Sequence, residues 1–370
     1  MMNENELLII GNGFDLSAGL KSTYKDFFEK RYDLDLINEM KQFLRSGYNN
    51  PKKLKELDNI NLWDIFFLFK YLDDSNKNKN WSNIEEEIKF FLTSNKDKQE
   101  LTKDGLKTIL KTERQGYGPV YPENNYNQYA KQLLSYINKS DGLNDLNLDE
   151  FINFELQLFE TVFAKYIEKI SKNSMHYHMK SNLLVENLVS DTSKTSIISF
   201  NYTNIKKEGL LNIQNVHGKS NEKIIFGIDY KDLIYHSEEY KYSKTYRKLL
   251  MNVYNTINWT LPKGISKIKF YGHSLSDADY SYFQSIFDFY SIYDSEVIIE
   301  MLFCVFDENY REVILNNQLL AVTRLFSIYS DTMTNKEHGK NLIHKLLLEN
   351  RLRIIEVNSN GETSMEKYPF

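Results

Sequence analysis

The sequence is poor in cysteine, has no excess of basic residues and contains no long apolar run. Its 370 residues include one cysteine, Cys304, which excludes a disulfide framework and a zinc ribbon with four cysteine ligands. This cysteine lies in the apolar run 297–306, so we expect a buried apolar side chain. The formal net charge of −5 gives no strong signal for nucleic-acid binding, which usually needs a basic surface.

A membrane-spanning helix is not expected either. The most apolar internal segment, residues 62–72, is interrupted by Asp64 and Lys70, whereas a spanning helix needs about 20 mainly apolar residues. Residues 1–6 lack the basic start of a signal peptide. Together with the single cysteine, these features predict a cytoplasmic globular protein without a membrane partner.

The glycine-rich segment close to residue 1 is the most informative feature. The apolar run 7–10 leads directly into the string GNGFDLSAG at residues 11–19. This pattern predicts a buried parallel strand whose glycine turn brings backbone N–H groups close to a phosphate. The common dinucleotide fingerprint G-x-G-x-x-G would place a third glycine at Leu16, but the next glycine is Gly19.

The remaining pattern predicts an α/β fold, a Rossmann-like parallel sheet with a large helical insertion. Apolar residues recur at helical spacing between residues 24 and 189, for example over 83–91 and 148–170. Runs rich in β-branched and aromatic residues predict the further strands 195–200, 213–217, 224–228, 268–272, 297–306 and 352–357. We therefore predict a nucleotide-binding core from residues 1–23 and 190–370, with residues 24–189 as a helical insertion domain.

Polar motifs follow three of these strands, where open α/β sheets usually bind ligands. Asn201 offers an amide that both donates and accepts hydrogen bonds, and His217 suits proton transfer near neutral pH. The third motif is GHSLSDAD at residues 272–279. Each has a structural alternative, because Asn often forms turns, a lone His is often structural, and Ser-x-x-Asp caps helices. We predict no metal site.

The motifs together resemble the AbiH family of bacterial abortive-infection proteins. The resemblance rests on LIIGNGFDLSAGL, the helical segment around Trp81 and Glu85, FNYT, VHG and YGHSLSDAD, in this order. It implies a role in defence against phages. The order of motifs is similar, more remotely, to sirtuin-like NAD-binding domains.

The chain departs from sirtuin deacylases at several points. Residues 21–24 read KSTY where those enzymes have proline, an aromatic residue and arginine, and Thr203 stands where they have an acidic residue. One cysteine cannot build their zinc ribbon. Deacylase activity is therefore not expected, and the resemblance implies only the dinucleotide cradle and the Asn/His pair.

The leading hypothesis that follows is an NAD-glycohydrolase, which hydrolyses the nicotinamide–ribose bond of NAD or a related nucleotide. NAD is then the substrate, and no cofactor is required. The implied catalytic residues are Asn201, His217 and Asp15. The implied ligand-binding residues are Gly11, Asn12, Gly13, Phe14, Gly19, Gly218, Gly272, His273, Ser274 and Asp277.

Two alternatives stay open. The first is a nucleotide-binding sensor without chemistry, which needs the glycine loop but not His217. The second is a metal-dependent nuclease that uses acidic and histidine side chains, namely Asp15, His217, His273, Asp277 and Asp279. A phage-derived trigger and a homo-oligomer are further candidate partners. Glu85 either anchors the insertion, which is the favoured interpretation, or reaches the site.

Overall fold

The computed structural model describes residues 5–33, 35, 37–38, 60–72, 84–93, 102–107, 147–229, 233, 235–254 and 260–363. The chain divides into two compact units. The first unit contains Met1–Ser22, Ala164–Ile224 and Asn252–Phe370, and the second contains Thr23–Phe163 and Ile225–Met251. Residues 164–189 thus lie in the first unit and residues 225–251 in the second. The division of the chain into a core and an inserted domain stays a prediction.

The first unit is built on a six-stranded parallel sheet. Its strands are β1 (Asn5–Ile10), β2 (Thr195–Ser199), β3 (Asn212–Asn215), β4 (Ile265–Tyr271), β5 (Ile298–Cys304) and β6 (Leu352–Val357). They are ordered β3-β2-β1-β4-β5-β6, and each pairs in parallel with its neighbours. This is the strand order of Rossmann folds. The predicted α/β Rossmann-like fold is therefore confirmed, including the parallel pairing of β1 with both β2 and β4.

The main helices among the described residues are α1 (Asn12–Ser17), α2 (Tyr24–Arg31), α3 (Leu62–Leu72), α4 (Ile84–Thr93), α5 (Leu148–Lys172), α6 (Met175–Leu188), α7 (Lys244–Tyr254), α8 (Tyr280–Phe289), α9 (Arg311–Thr332) and α10 (Lys336–Leu348). Side chains alternate along β1 between the two faces of the sheet. Helices cover both of these faces. Leu7 and Ile9 pack with α8, α9 and α10, whereas Leu8 and Ile10 pack with α1 and α6. Burial on both faces explains why residues 7–10 of β1 are all apolar.

One predicted strand, residues 224–228, is wrong. Ile224 and Ile228 each form only an isolated bridge, to Gly218 and Ser243 respectively. The main chain between them is bound by side chains: the N–H of Phe226 donates to Glu160 Oε1 at 2.6 Å, and its carbonyl accepts from Arg247. These side-chain hydrogen bonds take the place of the main-chain hydrogen bonds that a strand would form with a neighbouring strand. The other predicted strands are confirmed, with ends that differ by up to three residues.

The second unit is mainly helical in its described part, and its core is aromatic. Phe27, Phe28, Trp63, Phe67 and Phe159 are all buried. Their rings contact one another at centroid distances of 5.2–6.4 Å, mostly in edge or tilted arrangements, as aromatic pairs prefer. No helix in the described part of the chain is long and apolar enough to cross a membrane.

Candidate functional site

Two loops meet at the carboxyl ends of β1 and β4. The glycine loop (residues 11–13) lies against the β4 loop (residues 272–276), and the N–H groups of Gly11 and Gly13 donate to the carbonyls of Tyr271 and Gly272 at 3.1 and 2.7 Å. A Cβ atom on Gly13 would lie 2.7 Å from Cα of Gly272. A Cβ on Gly272, whose φ is +66°, would lie 2.3 Å from the Phe14 nitrogen. Backbone-to-backbone packing is therefore one reason for glycine at these positions.

The other residues predicted to form the glycine cradle have varied surroundings. Asn12 is exposed, and its Oδ1 accepts from the Ser22 hydroxyl at 2.5 Å. Phe14 is fully buried and meets Tyr271 edge to face. Gly19 follows α1 in the turn that ends it, with φ +84°. Because the N–H groups of Gly11 and Gly13 already donate within the protein, the phosphate cradle stays a prediction.

Asp15 lies on α1 in a fully buried polar cluster. Its carboxylate accepts from the Tyr177 hydroxyl at 2.8 Å and from the Thr203 hydroxyl at 2.9 Å. Burial raises the pKa of Asp15 from 3.8 to about 7, and the hydrogen bonds from Tyr177, Thr203 and Asn201 oppose that shift. At neutral pH this carboxyl group is therefore close to its midpoint of protonation.

Asn201 is the point where this cluster meets the glycine loop. The side chain is buried, and its Nδ2 group donates to the Gly11 carbonyl at 3.0 Å. Because the amide nitrogen is the donor in this bond, the amide oxygen is on the opposite side of the group. Among the described residues, the Oδ1 atom of Asn201 is buried without a hydrogen-bond partner. Such an atom can accept a hydrogen bond from water or from a ligand.

His217 and His273 lie on either side of one carboxylate, that of Asp279. Nε2 of His217 is 2.9 Å from Oδ1 of Asp279, and Nε2 of His273 is 3.4 Å from Oδ2. The side chains of all three are at most 12% exposed. Phe200, which precedes Asn201, contacts the His217 and His273 rings at centroid distances of 5.5 and 4.6 Å. The sequence motifs after β2, β3 and β4 thus converge.

The ends of β2 and β3 are held together by a further side chain. Nδ2 of Asn215 donates to the carbonyls of Asn201 and Thr203 at 2.8 and 2.9 Å. Asn215 is two residues before His217, so these bonds fix the two chain segments that carry Asn201 and His217. No sequence motif marks Asn215, because an isolated Asn near a strand end has the pattern of an ordinary turn residue.

The three remaining predicted ligand-binding residues are Gly218, Ser274 and Asp277. Gly218 has φ +84°, and a Cβ there would lie 2.0 Å from the Lys223 carbonyl oxygen, so a chain reversal requires glycine. Ser274 is exposed. Asp277 is also exposed and forms an ion pair with Arg324. Their binding roles stay predictions.

A cavity of about 150 Å³ lies beside the contact between the two loops. Gly13, Gly272 and His273 line it, together with apolar side chains of β5. Ser17 and Tyr271 add hydroxyl groups 2.8 Å apart, and the Ser17 hydroxyl also donates to the Gly13 carbonyl. A cavity of this size has room for one aromatic ring. Cys304, also in the lining, is buried as predicted, and burial raises the pKa of its thiol.

Comparison with known proteins identifies the family. A protein-family model described as bacteriophage abortive infection AbiH matches residues 7–300. The chain belongs to the AbiH family. No curated protein and no solved structure matches it. AbiH membership indicates a role in abortive infection by phages, and the remoter resemblance to sirtuin-like domains stays a prediction.

The AbiH match covers the glycine loop, Asn201, His217 and Asp279, and it ends within β5. Of the helical AbiH motif, Trp81 lies outside the described residues. Glu85 is in α4 and forms an ion pair with Lys244 at 2.9 Å. Both side chains are at most 12% exposed, which fits the interpretation of Glu85 as an anchor.

Among the described residues of this AbiH protein, no group of three or more His, Cys, Asp or Glu side chains is arranged to hold a metal ion. Asp15 binds hydroxyl and amide groups, whereas Asp279 binds the two imidazoles. The acidic and histidine residues considered for a nuclease are thus divided among separate environments, with Asp277 on the surface.

Proposed function

We propose that this protein is an abortive-infection effector that hydrolyses the bond between nicotinamide and ribose in NAD or a related nucleotide. Loss of NAD would starve an infected cell before new phage is released. The observation that carries the proposal is the Asn201 amide. Its nitrogen donates to the Gly11 carbonyl, and its buried Oδ1 has no partner among the described residues.

In this proposal Asn201 Oδ1 accepts a hydrogen bond from a ribose hydroxyl or from the attacking water. As the C1′–N bond breaks, its electron pair goes to the pyridinium nitrogen and nicotinamide leaves as a neutral molecule. Positive charge develops on the sugar, as in glycoside hydrolysis. The water oxygen bonds to C1′, and His217 takes the water proton.

The cavity beside the glycine loop, which His273 lines but Asn201 and His217 do not, is consistent with a nucleotide ligand. It lies at the carboxyl ends of β4 and β5, next to the point where the strand order reverses between β1 and β4. Open α/β sheets bind ligands at this point. Its volume suits one aromatic ring, and the Ser17 and Tyr271 hydroxyls give it a polar side.

The test combines a purified enzyme assay with phage challenge. Nicotinamide release from NAD is measured by chromatography, with and without lysate of phage-infected cells as a source of the trigger. We expect Asn201→Ala and His217→Ala each to lower the rate about 10²–10⁴-fold. His344→Ala and Asn341→Ala remove the same residue types at exposed positions on α10 and should keep the wild-type rate.

A non-catalytic sensor gives the opposite result. If cells that carry His217→Ala stay protected from phage and NAD never falls during infection, the hydrolase proposal is wrong. A nucleotide-binding switch would then take its place. Unchanged melting temperatures of all four variants are required before either conclusion is drawn.

A further inference from the structure

The carboxylate of Asp279 has an unusual position for a residue at the start of a helix. It is the residue before α8, yet it makes no side-chain capping bond to the helix. Its two oxygens instead face His217 at 2.9 Å and His273 at 3.4 Å. The structural alternative, in which this motif caps the helix, is therefore not supported by a capping bond from Asp279. A buried carboxylate is costly unless a strong donor binds it, and the His217 ring at 2.9 Å is such a donor when Nε2 carries a proton.

The tautomer of His273 follows from its contacts. Its Nδ1 accepts a hydrogen bond from the N–H of Leu275 at 2.9 Å. A ring nitrogen that accepts must carry a lone pair, so the proton of the neutral ring is on Nε2 and points to Asp279. Protonation of Nδ1 would break the bond to Leu275, which has the unfavourable φ of +55°. His273 thus lies with its Nε2 atom towards the carboxylate, 3.4 Å from Oδ2 of Asp279.

The same reasoning applies to His217. Because its Nε2 is the atom that faces Asp279, a neutral His217 ring carries its proton there and its lone pair on Nδ1. We propose that Asp279 is a positioning residue, which holds His217 in the Nε2–H tautomer so that Nδ1 is the atom that takes a proton. When Nδ1 takes that proton, the adjacent carboxylate stabilises the imidazolium.

This inference rests on the proposed function for the identity of the reaction, but not for the tautomer. Phe200 and Tyr282 enclose the His217 ring at centroid distances of 5.5 and 5.7 Å. These rings limit its rotation, so the carboxylate selects between two tautomers of an already placed ring. The aspartate is therefore expected to affect the chemical step more than substrate binding.

The decisive measurement is the nitrogen NMR spectrum of protein labelled with 15N-histidine, which distinguishes the two tautomers of each ring. The chain has seven histidines, and the His217→Ala spectrum identifies the His217 signals. We expect the Nε2–H form in the wild type and a loss of that form in Asp279→Asn. An Nδ1–H form of His217 in the wild type would overturn the proposal, whatever the reaction is.

Kinetics provide the second measurement. Because Asp279 acts through His217, Asp279→Asn should lower kcat by no more than the roughly 10²–10⁴-fold expected for loss of His217 itself, with KM nearly unchanged. Asp279→Glu retains a carboxylate and should recover part of both kcat and the Nε2–H signal. Asp294→Asn, an exposed carboxylate of the first unit, is the matched control and should change neither.

The outcomes separate this inference from the proposed function. If no NAD hydrolysis is found but Asp279→Asn still changes the His217 tautomer, the positioning role stands and the proposed reaction falls. If hydrolysis is found but Asp279→Asn retains both the wild-type tautomer and kcat, the positioning role falls. If Asp279→Asn does not fold, the wild-type spectrum and the Asp279→Glu variant decide.

Discussion

Buried carboxylates have different partners in four ion pairs of the second unit and at the carboxyl edge of the sheet in the first unit. In the second unit the partners are the cations of arginine and lysine, in the pairs Asp64–Arg31, Glu85–Lys244, Asp149–Lys103 and Glu160–Arg247. At the carboxyl edge of the sheet in the first unit, Asp15 binds hydroxyl and amide groups and Asp279 binds two imidazoles.

The two kinds of partner differ in their effect on the charge of the buried carboxyl group. A carboxylate beside arginine or lysine keeps its charge over the physiological pH range, because the cation favours the ionised form. Burial without a cation beside the carboxyl group instead raises its pKa, as the pKa of Asp15, about 7, illustrates. Perturbed groups of this second kind are typical of functional sites.

The largest expected effect is in the second unit. Arg247→Met should lower the free energy of unfolding by about 3–5 kcal/mol, because it leaves Glu160 buried without its cation. Urea denaturation followed by circular dichroism measures this. Lys340→Met, in a pair with Glu337 whose side chains are 70% and 74% exposed, should cost less than about 1 kcal/mol. Equal effects of the two variants would remove the distinction between buried and exposed pairs.

The next effect is the pH dependence of Asp15. Its pKa is raised in the folded protein, so the stability it contributes is present at low pH and is lost as the pH rises towards 7. Asp15→Asn cannot titrate. We therefore expect its free energy of unfolding, relative to that of the wild type, to rise by about 2–3 kcal/mol between pH 5 and pH 8.

Melting curves of both proteins at several pH values give this difference. Asp294→Asn, at an exposed position, controls for the general effect of removing a carboxylate. A constant difference between Asp15→Asn and the wild type over the whole pH range would show that Asp15 titrates normally.

The smallest effect concerns packing. The second unit packs aromatic rings, whereas the carboxyl edge of the first packs backbone against backbone. Gly13→Ala should cost about 1–2 kcal/mol, since even the first side-chain carbon would lie 2.7 Å from Gly272. Leu16→Met changes an exposed side chain on the same helix and should cost less than about 0.5 kcal/mol. If Gly13→Ala keeps the wild-type melting temperature, the glycine is there for a ligand and not for packing.

Most of the sheet could be predicted because strands are encoded locally. An apolar run bounded by turn residues predicts a buried strand wherever it occurs, and β1, β2, β4, β5 and β6 obey this rule. Residues 224–228 have the same composition but bind Glu160 and Arg247 through their main chain. Those partners are distant in sequence, so no local pattern distinguishes this segment from a strand.

The candidate site shows the same division. The sequence by itself determined the strand positions, the glycine loop, and the choice of Asn201 and His217, because these depend on residue type and on neighbours within a few positions. Only the tertiary structure decided that Asp279 binds His217 from 62 positions away and that Tyr177 binds Asp15 from 162 positions away. It also decided that Gly13 lies against Gly272. The arrangement of strand ends in the sheet determines which groups a buried polar side chain or a glycine backbone contacts. That arrangement arises only when the chain folds.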